Sequence, residues 1–187
     1  VWVMGFVDDV HELPSWAQLL GLLAAAGVAI AFKVFIELFN DPFTDQQIHV
    51  GWYIMVPLTL LWLAGTSSTV NLVDGLDGLA AGIAAIAALV LFVHMLRLGQ
   101  YSVAVLPLAL LGCCLGFLPY NFPPARSFMG DAGSMVIGYL LAVLSTLTTY
   151  VQPGQTYYAF GIFVPLVLLA VPIYDMISVI VLRIRAR

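Results

Sequence analysis

The stretch Leu79-Ala-Ala-Gly-Ile-Ala-Ala-Ile-Ala-Ala-Leu-Val-Leu-Phe-Val-His-Met-Leu-Arg-Leu98 decides the fold class. It holds no acidic residue, and its two ionisable groups, His94 and Arg97, lie near its C-terminal end. Apolar side chains cover every face, so no polar stripe is left for water, and the length matches the roughly 20 residues needed to cross a bilayer. Comparable apolar runs lie on either side, over residues 17–39, 52–70, 101–118, 134–151 and 157–182. The pattern predicts an all-α polytopic membrane protein with about six transmembrane helices.

Composition agrees. Of the 187 residues, 63% are hydrophobic and only 9% charged, against about 25% charged in soluble domains; the mean hydropathy is +1.06. The net charge of -4 comes from 10 acidic and 6 basic residues. No Lys/Arg-rich run offers a surface to phosphate backbones, which excludes nucleic acid as a partner. Cys113 and Cys114 are adjacent inside an apolar run and read as packing residues. No signal peptide, internal repeat or low-complexity linker is evident, so one membrane-embedded domain over residues 1–187 is the economical reading. Both ends read as cut from a longer protein. Residues 40–51, with Asp41, Pro42, Asp45 and His49, read as an exposed turn or short hairpin. Gly65, Thr66, Ser67 and Ser68 dilute the second half of the span at 52–70.

Counting crossings places Asp8 and Asp9, residues 65–78, residues 119–133 and the tail after residue 182 on one side of the membrane. That side carries Arg126, Arg183, Arg185 and Arg187, whereas the other holds only Arg97 near a helix end, with Lys33 and Glu37 inside the first span. The excess of arginine predicts that the first side is cytoplasmic. Three acidic clusters fall there: Gly5-Phe-Val-Asp-Asp9 with Glu12, Asn71-Leu-Val-Asp-Gly-Leu-Asp-Gly78, and Phe128-Met-Gly-Asp-Ala-Gly-Ser134. Three glycine-flanked acidic loops meeting at one surface predict a site. Carboxylate and amide oxygens suit Mg²⁺, which binds few protein groups and completes its shell with water and phosphates. The glycines let backbone approach a ligand, and Asp131 to Ser134 leads into a helix whose N-terminal amides favour anions. Taken singly, Asp8-Asp9 would be a solvated helix end, Asp74 or Asp77 an N-cap, Asn71 a turn residue and Phe128 an interfacial anchor.

The motifs Gly5-Phe-Val-Asp-Asp9, Asn71-Leu-Val-Asp-Gly-Leu-Asp-Gly-Leu-Ala80 and Asn121-Phe-Pro-Pro-Ala-Arg-Ser-Phe-Met-Gly-Asp-Ala-Gly-Ser134 closely resemble those of the polyprenyl-phosphate N-acetylhexosamine-1-phosphate transferases, glycosyltransferase family 4. They occur in the family's order with whole spans between them. Pro172-Ile-Tyr-Asp175 followed by Arg183 resembles the segment leading to the family's last cytoplasmic loop. The resemblance implies a fold of roughly ten spans, of which this chain would hold the central and later part.

It further implies transfer of phospho-N-acetylhexosamine from a UDP-sugar to an undecaprenyl-type phosphate with release of UMP, at the cytoplasmic face of a bacterial plasma (inner) membrane. By similarity Asn71 and Asp131 would bind Mg²⁺, with Mn²⁺ as the alternative ion. Asp74, Gly75, Leu76 and Asp77 would line the uridine pocket, Phe128 would stack on uracil, Asn121 would lie beside the nucleotide, and Asp8 and Asp9 would orient the lipid phosphate as catalytic residues. A homodimer is compatible with the resemblance. Two departures stand out: residues 13–18, Leu13-Pro-Ser-Trp-Ala-Gln18, lack the basic residue the family usually places after its paired aspartates, and the family's His-rich cytoplasmic motif is missing because the chain ends at Arg187, just before it would be expected. The short loop from Asn121 to Asp131 looks closer to the branch using UDP-GlcNAc than to the one making phospho-MurNAc-pentapeptide lipid. Two readings of other classes are a transporter with an ion path marked by Lys33, Glu37, His94 and Asp175, and a scaffold built on Ala24, Ala25, Ala26 and Gly27.

Overall fold

The computed structural model describes residues 1–36, 38–40, 47–49 and 51–148, together with isolated helical positions 170, 174, 178 and 181. Among these residues the order is α1 (Trp2–His11), α2 (Ser15–Ala31), β1 (Leu38–Asn40), β2 (Gln47–His49), α3 (Trp52–Val73), α4 (Leu79–Arg97), α5 (Tyr101–Asn121) and α6 (Gly130–Leu147). Helices α3 to α6, of 18 to 22 residues, are long and apolar enough to cross a membrane, and α2 is apolar at 17 residues. At 1.5 Å per residue α2 spans about 26 Å, the short end of what a bilayer requires. The protein is a helical, multi-pass membrane protein, and the all-α expectation is qualified by one short two-stranded pairing among the described residues.

The span expected at 17–39 is corrected. Its helix stops at Ala31, Lys33 takes a left-handed φ of 63°, and Leu38 and Phe39 belong to a strand. Lys33 is therefore exposed beyond the helix rather than inside it. Of the exposed turn or short hairpin expected at 40–51, residues 41–46 and 50 lie outside the described residues, while β1 and β2 pair antiparallel in the register Leu38 to His49, Phe39 to Ile48 and Asn40 to Gln47. Apart from the isolated helical positions 170, 174, 178 and 181, the expected span at 157–182 lies outside the described residues, as do Glu37, Asp175 and the arginines from Arg183 onward. Helix α1, which the sequence reading left unassigned, ends at Glu12, whose left-handed φ of 46° turns the chain while its N–H bonds Asp8 O.

In lipid, helices associate through close packing and interhelical hydrogen bonds rather than through the hydrophobic effect. One core layer joins the alanine face of α4 (Ala84, Ala85, Ala88) and Leu91 to Ala104 and Cys114 of α5 and Leu141 of α6. A second joins Ala26 and Ala29 of α2 to Leu63 of α3 and Ala142 of α6. Of the residues that diluted the second span, Thr66 and Ser67 are buried in the bundle, as is the neighbouring Thr69, while Gly65 and Ser68 are half-buried. Ser67 Oγ donates to Met135 O at 2.7 Å, Trp62 Nε1 to Ser145 Oγ at 3.1 Å, and Tyr139 OH to Ala25 O at 2.8 Å. Each such bond contributes only about 0.6 kcal/mol on average, so they fix the register of α3 and α2 on α6 more than they hold the bundle together. Cys114 packs in the core and Cys113 is exposed on the helix surface.

Candidate active site

The C-terminal ends of α1, α3 and α5 and the N-terminal ends of α4 and α6 meet at one end of the bundle. Helix α6 begins there without a side-chain cap of its own. Its first amides are instead taken by α1: Asp131 N–H donates to Asp9 Oδ1 at 2.7 Å and Ala132 N–H to Asp9 Oδ2 at 3.1 Å. A carboxylate is favoured at this position by the unpaired N–H groups and the helix dipole. Two glycines permit the approach. Gly5, one turn before Asp9 on the same face of α1, lies so close to α6 that a Cβ would fall 2.6 Å from Ala132 Cα. Gly130 has a φ of 67°, and a Cβ there would sit 2.9 Å from both carboxylate oxygens of Asp9.

Asn71, near the end of α3, crosses to the same helix start. Its Nδ2 donates to Asp131 Oδ1 at 2.7 Å and to Ser134 Oγ at 3.0 Å, while Ser134 Oγ donates to Gly130 O at 2.9 Å. Asp8 is buried, 4% exposed, and its carboxyl interacts with that of Asp131. Asp74 caps α3 at the same place, and burial first, then the carboxylates of Asp131 and Asp9, pushes it up to about 6 from 3.8. Both charged neighbours acting on Asp74 are thus acidic. The structure brings together Asp8, Asp9, Asn71, Asp74 and Asp131 from three chain segments.

Like charges held this close predict a measurable cost. An acid whose folded-state pKa is raised favours folding while it is protonated, below about pH 4, and that contribution is lost as pH rises to about 6. Asp74→Asn should therefore raise the thermal midpoint in detergent with EDTA at pH 8, with the gain shrinking toward pH 4. A thermal scan of both proteins at the two pH values checks this; an equal gain at both would mean that charge is not the cause.

The nucleotide-side candidates form a second cluster beside the first. Asn121 is 3% exposed and both ends of its amide are engaged, Oδ1 accepting from Gly78 N–H at 2.9 Å and Nδ2 donating to Ser127 O at 3.0 Å. It is a strut between α5, α4 and the loop at 122–129. Asp77 Oδ2 accepts from Ala125 N–H at 3.1 Å and steadies the same loop. Phe128, 76% exposed, and Leu76, 67% exposed, stand free at the surface, with Gly75 exposed in the turn between α3 and α4. An exposed aromatic ring on a braced loop can stack on a planar base.

Sequence reasoning did not assign roles to Ser134, Gly5 or Gln18. The first two stand inside quoted motifs, and their signal was the small size demanded by close approach. Gln18 was noted only for not being basic, yet its Nε2 donates to Asp8 Oδ2 at 2.5 Å.

Among the described residues no three His, Cys, Asp or Glu side chains are arranged to hold a metal by themselves. That donor set still fits Mg²⁺, which takes one or two carboxylates, retains waters and completes its shell with substrate phosphates. Asp131 and the Oδ1 of Asn71 could serve as two such ligands, amid surplus negative charge that a cation would relieve.

Comparison with known proteins follows the geometry. Residues 1–149 match the family described as Glycosyl transferase family 4. The chain is 37% identical over 182 residues to a probable undecaprenyl-phosphate N-acetylglucosaminyl 1-phosphate transferase of Bacillus subtilis (strain 168), covering 97% of this chain and 49% of that protein. It is 42% identical over 155 residues to a phospho-N-acetylmuramoyl-pentapeptide-transferase of Listeria monocytogenes serovar 1/2a, covering 77% and 48%. With the enzyme of the same name from Geobacillus kaustophilus it shares 40% identity over 157 residues, covering 78% and 48%. The chain thus spans about half the length of these curated relatives. A match over residues 1–149, together with a relative 37% identical across 97% of the chain, establishes that this chain belongs to glycosyl transferase family 4.

Proposed function

We propose that the complete protein is a phosphotransferase that moves phospho-N-acetylhexosamine, specifically GlcNAc-1-phosphate, from a UDP-sugar to a polyprenyl phosphate such as undecaprenyl phosphate, releasing UMP in an initiating step of envelope polysaccharide synthesis. The observation that carries this reading is the meeting of Asp8, Asp9, Asn71, Asp74 and Asp131 at one end of a membrane bundle, next to the exposed ring of Phe128. The N-acetylglucosaminyl relative, similar over 97% of the chain, favours GlcNAc as the sugar. The relatives that transfer phospho-N-acetylmuramoyl-pentapeptide support a second reading in which that group is transferred. A transporter finds less support, because the described acidic groups gather at one end of the bundle and Lys33 is exposed beyond α2.

In the proposed reaction an oxygen of the lipid phosphate attacks the sugar-bearing phosphorus of the UDP-sugar. A new P–O bond forms, the bond to the UMP oxygen breaks, and UMP leaves with the electron pair. A phosphate monoester has a second pKa of about 6, so the nucleophile is largely a dianion at neutral pH and needs no strong base. Positioning and charge neutralisation then dominate. Mg²⁺, or Mn²⁺ in its place, held by Asp131 and the oxygen of Asn71, would supply neutralisation of the diphosphate. Asp8 orients the lipid phosphate or accepts a residual proton from it. Asp9 holds α6 against α1 so that Asp131 is presented to the donor. Asp74 and Asp77 face the nucleotide, with Asp77 bracing the loop that offers Phe128 to uracil.

UMP release by the complete gene product, with UDP-GlcNAc or UDP-MurNAc-pentapeptide as donor and undecaprenyl phosphate as acceptor, tests the reading. Release with the first donor and not the second is the expected result; the reverse selects the second reading, and release with neither overturns both. The site is proposed to face the cytoplasm at the bacterial plasma membrane. Single cysteines at Gly75 and Arg126 should react from the cytoplasmic side and a cysteine at Asn40 only from the other. Labelling of Asn40 and Arg126 from the same side would break the crossing pattern.

A further inference from the structure

Asp8 is the most enclosed member of the acidic cluster, and besides its contact with Asp131 it is held by two residues outside the family's motifs. Only Glu12, Leu13 and Pro14 connect α1 to α2. Within that reversal Leu13 N–H donates to Asp8 Oδ1 at 2.6 Å. Gln18, in the first turn of α2, donates from Nε2 to Asp8 Oδ2 at 2.5 Å, and the same nitrogen lies 3.4 Å from Leu13 O. One half-buried amide therefore joins the end of α1, the connector and the start of α2, and each carboxylate oxygen of Asp8 has a donor of its own.

Both donors are neutral. A backbone N–H and a carboxamide N–H on separate oxygens fix the rotation of a carboxylate. Glutamine here supplies the second donor, so that Asp8 keeps a fixed direction beside Asp131.

We propose that Gln18 is a positioning residue, which holds Asp8 in the one orientation that serves phosphoryl transfer. The proposal rests on the function assigned above. Removing the donor should leave nucleotide binding alone, since Gln18 touches neither the loop at 122–129 nor α4, and should act on turnover.

The test uses the complete protein and the variants Gln18→Leu, which keeps volume without a donor, and Gln18→Lys, which restores a donor of similar reach. Gln18→Leu should lower kcat about 10- to 100-fold, the range for loss of a hydrogen bond to a charged group, with the KM for UDP-sugar unchanged. Gln18→Lys should recover most of the loss. Carbodiimide coupling of Asp8 to glycine ethyl ester, followed by peptide mass spectrometry on substrate-free protein, reads the same contact without activity: coupling should be several-fold faster in Gln18→Leu than in the unsubstituted protein. Wild-type kcat or wild-type coupling in Gln18→Leu overturns the proposal, as does a Gln18→Lys variant as impaired as Gln18→Leu. If the unsubstituted protein releases no UMP, the assigned function fails, and the coupling rates alone decide whether Gln18 holds Asp8.

Discussion

Asp131→Ala in the complete enzyme is expected to abolish Mg²⁺-dependent turnover, a loss of about 10³-fold or more, since removing one electrostatic stabiliser of a transition state costs 10²–10³-fold and this residue is proposed both to hold the ion and to face the diphosphate. In energy, 10³-fold corresponds to about 4 kcal/mol of barrier. The architecture around the position separates this effect from misfolding. The bonds that fasten α6 to α1 run from the backbone N–H groups of Asp131 and Ala132 to Asp9, so they survive any change of the Asp131 side chain. Asn71 loses one acceptor and keeps Ser134 Oγ at 3.0 Å. The thermal midpoint of Asp131→Ala should accordingly stay close to that of the parent protein while UMP release across a Mg²⁺ titration collapses. Asp131→Asn, which retains an oxygen for Asn71 but not the charge, should be nearly as inactive. Near-normal turnover in Asp131→Ala would remove the ligand assignment.

The spans were legible because their signal is local: an uncharged run such as Leu79 to Leu98 has few alternatives to crossing a bilayer. The limits of that signal explain the errors. Apolarity continues from Ala31 through Phe32, Val34 and Phe39, but whether a helix continues depends on the backbone at Lys33 and on pairing with residues 47–49, which hydropathy does not record. Thr66 and Ser67 looked like dilution of a span, and only knowledge of the facing helix turns them into contacts with α6. The acidic cluster was legible for a different reason. Crossing parity carries residues far apart in sequence to one surface, and the hydrogen bonds from Asn71 to Asp131 and from the α6 N-terminus to Asp9 agree with that parity. Roles within the cluster were less legible. Asn121 resembled a nucleotide contact, yet its amide is spent inside the chain on Gly78 and Ser127. Gln18 carried no motif, because its meaning lies in a partner ten positions earlier, reached only after the chain reverses.

The two acids on either side of the site should fail in different ways. Asp8→Asn is expected to reduce kcat about 10²- to 10³-fold, the range for loss of an electrostatic contribution made mainly in the transition state, while UDP-sugar binding is retained. Asparagine is close in shape: its Oδ1 still accepts from Leu13 N–H, so the turn between α1 and α2 persists, and what is lost is the charge together with the acceptor for Gln18 Nε2. Asp77→Ala acts on the other cluster. Its carboxylate braces the loop at 122–129 through Ala125 N–H, and without that bond the exposed ring of Phe128 is no longer held in one place. The consequence should be a KM for UDP-sugar raised about 10-fold or more, as for loss of a hydrogen bond to a charged group, with a smaller change in kcat. An effect confined to KM marks lost ground-state binding, whereas equal falls in kcat and kcat/KM mark an interaction made only in the transition state. Calorimetry with the UDP-sugar, run beside steady-state assays on both variants, makes the comparison direct. If Asp8→Asn lost nucleotide binding while Asp77→Ala kept it, the lipid phosphate would have to approach from the α4 and α5 side, and Asp8 would belong to the donor.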